Sequence, residues 1–200
     1  MADKIFWCAG VDEAGRGPLA GPVAVAAVIL PVDHKLSELD DSKRLTAKKR
    51  ELLVPQIEAI AVGYRLIFVS VEEIDRVNIL QATMNGMQRA VEQLTPAPAK
   101  AQIDGNRAPP LNCETETIIG GDRLVAAISA ASILAKVYRD RLMLEYHQTY
   151  PGYGFEQHKG YPTALHLERL QTLGPCPIHR QSFAPVKRAA QHFDPKNFQT

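Results

Sequence analysis

Two apolar patterns alternate along this chain. The first is the short unbroken run. Residues 5–11 (IFWCAGV) lead straight into Asp12, and residues 23–30 (VAVAAVIL) lie between Pro22 and Pro31. Runs of this length, bounded by turn formers and rich in β-branched residues, read as strands, the second of them buried. The glycines between them suit a hairpin or a bulged connection. Residues 64–71 (YRLIFVSV) read as a third strand, and shorter runs at 101–104 and 116–119 end at Asp104-Gly105 and Gly120-Gly121-Asp122. The second pattern has a helical period. Residues 78–94 carry Leu80, Met84, Met87 and Val91 on one side, residues 124–150 form the longest helical stretch, and 163–173 form another, stopped by Gly174-Pro175. A polar segment, 33–50, leads into a helix near Thr46, in which Pro55 predicts a kink or break. Residues 95–100 and 151–162 read as loops. Early strands followed by strands alternating with helices predict a mixed sheet with helices packed on it.

Length and charge narrow the picture. At 200 residues the chain is expected to be a single domain, 1–200, with roughly 151–200 as a C-terminal helical part. A net charge of +1 excludes a globally basic protein, so any nucleic-acid contact must rest on locally arranged basic groups. Cys8, Cys113 and Cys176 are odd in number and far apart, which argues against a disulfide framework or a structural zinc site and suits a reducing cytoplasm. There is no signal-peptide pattern, and no apolar run is long enough to span a membrane.

Four acids share one context. Asp12-Glu13, Asp104 and Asp122 each follow an apolar or strand-like run and adjoin glycine. Acids at neighbouring strand ends can converge at one sheet edge, where clustered carboxylates call for a cation, and magnesium prefers oxygen ligands. Plainer readings stand beside this one: Asp104-Gly105 as an ordinary turn, Asp122 as a helix N-cap. Adjacent strand residues point to opposite faces, so Asp12 and Glu13 can share a site only if the strand ends or bulges there. Gly15-Arg16-Gly17 lets backbone come close to a ligand, yet it is neither a P-loop nor a dinucleotide fingerprint. In the long helix, Ser129, Lys136 and Asp140 fall nearly on one line with Ser132 beside it, either a solvated face or a phosphate groove. The basic group around Lys43 and Arg44 reads as a solvated helix start or a phosphate clamp. Tyr153, His158, Lys159 and Tyr161 mix aromatic and basic groups in one loop, a composition suited to stacking beside a phosphate.

Seven blocks in order, GVDEAGRGPLAGPV, LDDSKRLT, NILQATMNGMQRAV, IDGNR, GGDRLVAAISAASILAKVYRD, YGFEQHKGYPT and SFAPVKR, closely resemble the bacterial ribonuclease HII (type 2 ribonuclease H) family over about residues 10–188. The resemblance implies an α/β ribonuclease H-like fold: a mixed five-stranded sheet flanked by helices, with a C-terminal helical extension. It implies an endoribonuclease that cleaves the RNA strand of RNA–DNA hybrids and nicks 5′ of single ribonucleotides in duplex DNA. The reaction would be two-metal-ion hydrolysis with Mg2+ or Mn2+, leaving 3′-hydroxyl and 5′-phosphate ends. By motif, Asp12, Glu13, Asp104 and Asp122 would be the metal ligands and catalytic acids. Gly15, Arg16 and Gly17 would sense the ribose 2′-hydroxyl, Tyr161 would pack on the neighbouring sugar, and Lys43, Ser129 and Lys136 would contact phosphate. The family resemblance also implies a cytoplasmic monomer without a membrane partner. The rival readings are a non-catalytic hybrid-binding protein and another metal nuclease on the same fold.

Overall fold

The computed structural model describes residues 6–37, 39, 42 and 44–192. The chain starts with β1 (Cys8–Ala14), which pairs antiparallel with β2 (Val23–Ile29). Thr46 then caps α1 (Ala47–Ile60), accepting from the Lys49 amide, and β3 (Gly63–Val69) returns antiparallel to β2. α2 (Val71–Val77) and α3 (Ile79–Glu92) follow, capped by the side chains of Ser70 and Asn78. β4 (Lys100–Asp104) and β5 (Glu114–Ile118) add in parallel on the far side of β1, giving the order β3-β2-β1-β4-β5. The predicted mixed five-stranded sheet is therefore present.

β2 is buried along its whole length because it is an inner strand covered on both faces. Its alternate residues serve two cores. Val23, Val25, Ala27 and Ile29 meet Ala82, Met87 and Ala90 of α3, together with Ala9 and Val11 of β1. Ala24, Ala26 and Val28 meet Leu53 and Ile57 of α1 and Ile133, Leu134 and Val137 of the long helix α5 (Ala126–Thr149). A short turn of helix, α4 (Gly121–Leu124), precedes α5. The remaining elements are α6 (Phe155–His158), α7 (Ala164–Leu173) and α8 (Ala184–His192). Among the described residues no helix is long and apolar enough to cross a membrane.

Four sequence expectations are corrected. Of the kink or break expected at Pro55, the break does not occur, and α1 runs through it to Ile60. Pro55 is exposed while Leu53, Val54 and Ile57 are buried, so the missing donor faces water and the opposite face stays anchored. Val71 belongs to α2, not to the third strand: the Ser70 side chain accepts from Glu73, and this cap ends the β pattern. The long helical stretch is divided at Val125, which adopts an extended conformation, so that Asp122 sits in α4 and does not cap α5. The 151–162 segment, read as a loop, contains a 3-10 turn at Pro151–Tyr153 and α6.

α5 lies so close to β1 that a Cβ on Gly10 would stand 2.2 Å from the Ala127 carbonyl carbon. The obstruction is backbone and cannot rotate away. A Gly10→Ala variant should therefore lose about 3 kcal/mol of stability, in the upper range for overpacking a core. Urea unfolding measures this, and a midpoint equal to wild type would mean that the helix has room to shift.

Candidate active site

The parallel pairing of β1 with β4 matches Val11 with Ile103, so the next residues, Asp12 and Asp104, stand side by side where the two strands end. Both lie on the α5 face, since Ala9, Val11, Ala101 and Ile103 fill the core on the other. Asp12 is only 5% exposed, and its Oδ1 accepts from the Glu13 amide at 2.7 Å. Its carboxyl is raised well above the usual carboxylate range, first by burial, then by the charges of Glu13 and Asp104; hydrogen bonds from Ser132 and the Glu13 amide act in the opposite direction.

Glu13 is in regular register opposite Val25, with no bulge. β1 ends one residue later, and this is how both acids reach the site. Glu13 stands at the rim and lines two hollows: one of about 420 Å³ with Gly15, Arg16, Gly17, Lys136 and Tyr161, the other of about 230 Å³ with Asp104, Arg107 and Met84. Asp104 Oδ1 accepts from the Gly121 amide at 2.7 Å, which ties β4 to the turn that carries Asp122. Asp122 is buried, and its carbonyl accepts from the Ser129 hydroxyl.

Among the described residues, no group of three or more His, Cys, Asp or Glu side chains is gathered closely enough to hold a metal ion as it stands. The donors nevertheless suit a hard divalent cation. They are all oxygens, and their mutual repulsion already raises Asp12. A cationic side chain also sits at this edge, with Arg16 3.3 Å from Glu13.

The connection between β1 and β2 is held from below by two buried arginines. Arg180 donates to the carbonyls of Gly15 (2.6 Å), Arg16 (2.8 Å) and Gly21 (2.8 and 3.0 Å). Arg139 donates to those of Ala20, Pro22 and Lys159. Gly15 has φ +96°, and a Cβ there would meet the Arg139 guanidinium at 1.9 Å. Gly17 would place a Cβ 3.7 Å from the Tyr161 ring, so the tyrosine packs directly on the glycine segment. These two arginines shape the site without any local sequence signal: apart from Lys159, 20 residues from Arg139, their partners lie 117 to 165 residues away.

The helix stripe reaches the site, which favours the groove reading over a solvated face. Ser132 bonds the Ser42 hydroxyl at 2.9 Å and, like Ser42, lines the larger hollow. Lys136 lines it too and pairs with Asp140 at 2.6 Å, while burial lowers the lysine's pKa. Ser129 does not line it. Its hydroxyl is buried against Asp122 and acts as a latch on that turn. Lys43 lies outside the described residues.

Beneath Tyr161, hydrogen bonds fix a chain of neutral histidines. The Cys176 amide donates to His179 Nδ1, so His179 donates through Nε2 to His166 Nε2 (3.0 Å), and His166 Nδ1 donates to the Tyr161 carbonyl (2.9 Å). His158 stacks on His166 with centroids 4.4 Å apart.

The fold belongs to the ribonuclease H class. Ribonuclease H2 from Pyrococcus horikoshii OT3 superposes with a TM-score of 0.80, covering 93% of this chain and 98% of that one at 26% identity. The family model for ribonuclease HII matches residues 9–186. Ribonuclease HII of Burkholderia mallei is 59% identical over 180 residues, 90% of this chain and 84% of the relative. That of Xanthomonas axonopodis pv. citri is 59% identical over 185 residues, 92% and 76% respectively. The chain therefore belongs to the ribonuclease HII family and is a hydrolase, a ribonuclease directed at RNA–DNA hybrids.

Burial pushes the pKa of His166 down to about 4 and that of His179 to about 3. The unfolded chain takes up these protons near pH 6.5, whereas the folded chain refuses them until far lower. The unfolded state thus binds more protons in that window, and stability falls as pH drops below about 6.5. Melting temperatures taken between about pH 7.5 and 5 should decline on this account, with a shallower decline in His166→Gln. Parallel profiles for the two proteins would remove His166 from the explanation.

Proposed function

We propose that this enzyme cleaves the RNA strand of RNA–DNA hybrids and nicks duplex DNA on the 5′ side of a single embedded ribonucleotide. It leaves a 3′-hydroxyl and a 5′-phosphate. The observation that carries the reading is the adjacency of two devices at the end of β1 and in its following turn: the carboxylate edge that Asp12 and Glu13 form with Asp104 of the neighbouring β4, and the glycine segment packed against Tyr161. A phosphodiester and the 2′-hydroxyl beside it are neighbours in the same way.

Asp12, Glu13, Asp104 and Asp122 would hold divalent metal, Mg2+ or Mn2+. When bound, the metal would supply an activated water and charge stabilisation at the leaving 3′ oxygen. The protein's own groups set the frame for that chemistry. Ser132 and the Glu13 amide orient Asp12, Gly121 orients Asp104, and Ser129 latches the Asp122 turn. Gly15, Arg16 and Gly17 bring backbone against the sugar, and only the 2′-hydroxyl distinguishes RNA from DNA there. Tyr161, 40% exposed, offers its ring to the next sugar. Lys136 and Ser132 line the hollow where a phosphate would lie, with Lys43 as a further phosphate contact.

A duplex with one ribonucleotide, incubated with and without Mg2+ or Mn2+ and with its product ends mapped, tests the whole reading. Cutting is expected only with metal and only 5′ of the ribonucleotide; an efficiently cut all-DNA duplex would overturn the sugar test. Asp12→Asn and Asp104→Asn should each lower kcat by at least about a thousandfold, the scale of a lost charge-stabilising group, while duplex binding persists. Near-normal turnover of either variant would refute the metal assignment.

A further inference from the structure

Arg180 is buried to 0% exposure, and four hydrogen bonds run from its guanidinium to backbone carbonyls, two of them on consecutive residues, Gly15 and Arg16. A planar trans peptide points its carbonyl and its following amide in opposite directions. Drawing the Gly15 and Arg16 carbonyls onto one guanidinium therefore turns the Arg16 and Gly17 amides together toward the other side, where Gly15, Arg16, Gly17 and Tyr161 line the hollow. Successive amides turned outward this way form a concave donor site, and the positive φ of Gly15 is the backbone state such a site uses.

We propose that Arg180 is the positioning residue of the sugar test: by holding these two carbonyls on the buried side it aims the two amides at the ribose and sets the preference for ribose over deoxyribose. This rests on the reading of Gly15–Gly17 and Tyr161 given above. The environment of Arg180 serves the same end. Its own amide donates to the Leu19 carbonyl, and Ala20 forms a β-bridge with His179, so the 179–180 backbone straps the turn it clamps. Asp75 accepts from the Gln181 and Ser182 amides at 2.8 Å and anchors the strap, while the Phe183 ring faces the guanidinium at 5.2 Å. The adjacent His179 reaches the Tyr161 carbonyl through His166, so one short segment fixes both the glycine side and the tyrosine side of the hollow. Lysine cannot replace arginine here, because an ammonium is a point donor and lacks the planar fork that spans three carbonyls.

The test compares binding of a single-ribonucleotide duplex with that of the identical all-DNA duplex, by competition in EDTA so that neither is cut. Wild type should prefer the ribonucleotide duplex by about tenfold, the worth of one well-made hydrogen bond. Arg180→Lys should bring the two affinities to within about a factor of two of each other by weakening only ribonucleotide binding, leaving all-DNA affinity at the wild-type value. A merely structural role would weaken both together, and that result, or a preference kept at the wild-type level, overturns the proposal. If Arg180→Lys does not fold, Phe183→Leu takes its place: it retains the guanidinium and removes the ring against it, and should lower the preference about threefold, whereas an unchanged preference refutes the role. A wild-type enzyme with no preference at all would instead overturn the reading of Gly15–Gly17, a separate outcome from any failure at Arg180.

Discussion

The contact on which the rest of the site depends is that of α5 against β1. With no side chain at Gly10, the helix backbone comes down onto the strand, and everything on the near face of the helix is set by that distance. Ser132 thereby reaches both Asp12 and Ser42, Ser129 reaches the Asp122 turn, and Lys136 arrives beside the glycine segment. A helix held a further ångström away would break the hydrogen bonds that Ser132 makes to Asp12 and Ser129 to the Asp122 turn, because such bonds weaken steeply beyond normal contact. The position of the acids is thus a packing property before it is a chemical one.

The same geometry explains why the Asp12 carboxylate is high in energy as it stands. Parallel strands place Asp12 and Asp104 in neighbouring register, and the end of β1 adds Glu13. Burial and like charge then act on Asp12 in the same direction. A fold selected for stability alone would put apolar or paired groups there. The arrangement is understandable if a cation completes it, in keeping with the general link between perturbed carboxylates and functional sites.

Much of this was legible in the sequence. β2 declared itself because an inner strand covered on both faces needs an unbroken apolar run, and α3 because its face repeats at a helical period. Asp12, Glu13 and Asp104 were legible as acids at strand ends, whereas Asp122 stands past the end of β5, in α4. The errors came where one local rule competed with another. A proline inside a helical pattern predicts a kink or break, but whether its missing donor faces water is a tertiary fact. Val71 was read as strand because β-branched residues continue across Ser70, although that serine is a cap. Ser129 and Lys136 share a stripe, but burial separates a latch from a pocket residue. His158, His166 and His179 are spaced too widely for any local pattern, and only the folded chain brings their rings together.

Arg139 and Arg180 were the least legible residues, and their partners show why they matter. A buried arginine is ordinarily matched by a carboxylate, which cancels its charge. Here the guanidinium donors go to neutral carbonyls. The acids that act on them, Asp140 and Asp75, are bound to Lys136 and to the Gln181 and Ser182 amides. The carbonyls satisfy the hydrogen bonds without removing the charge, and burial limits screening by salt. A chain whose net charge is only +1 in this way keeps two positive charges buried directly behind the turn that joins β1 to β2. The carboxylate edge lies on the other side of the same short turn, so the chain separates its charges along β1 and the segment after it: negative at the strand end, positive behind the turn.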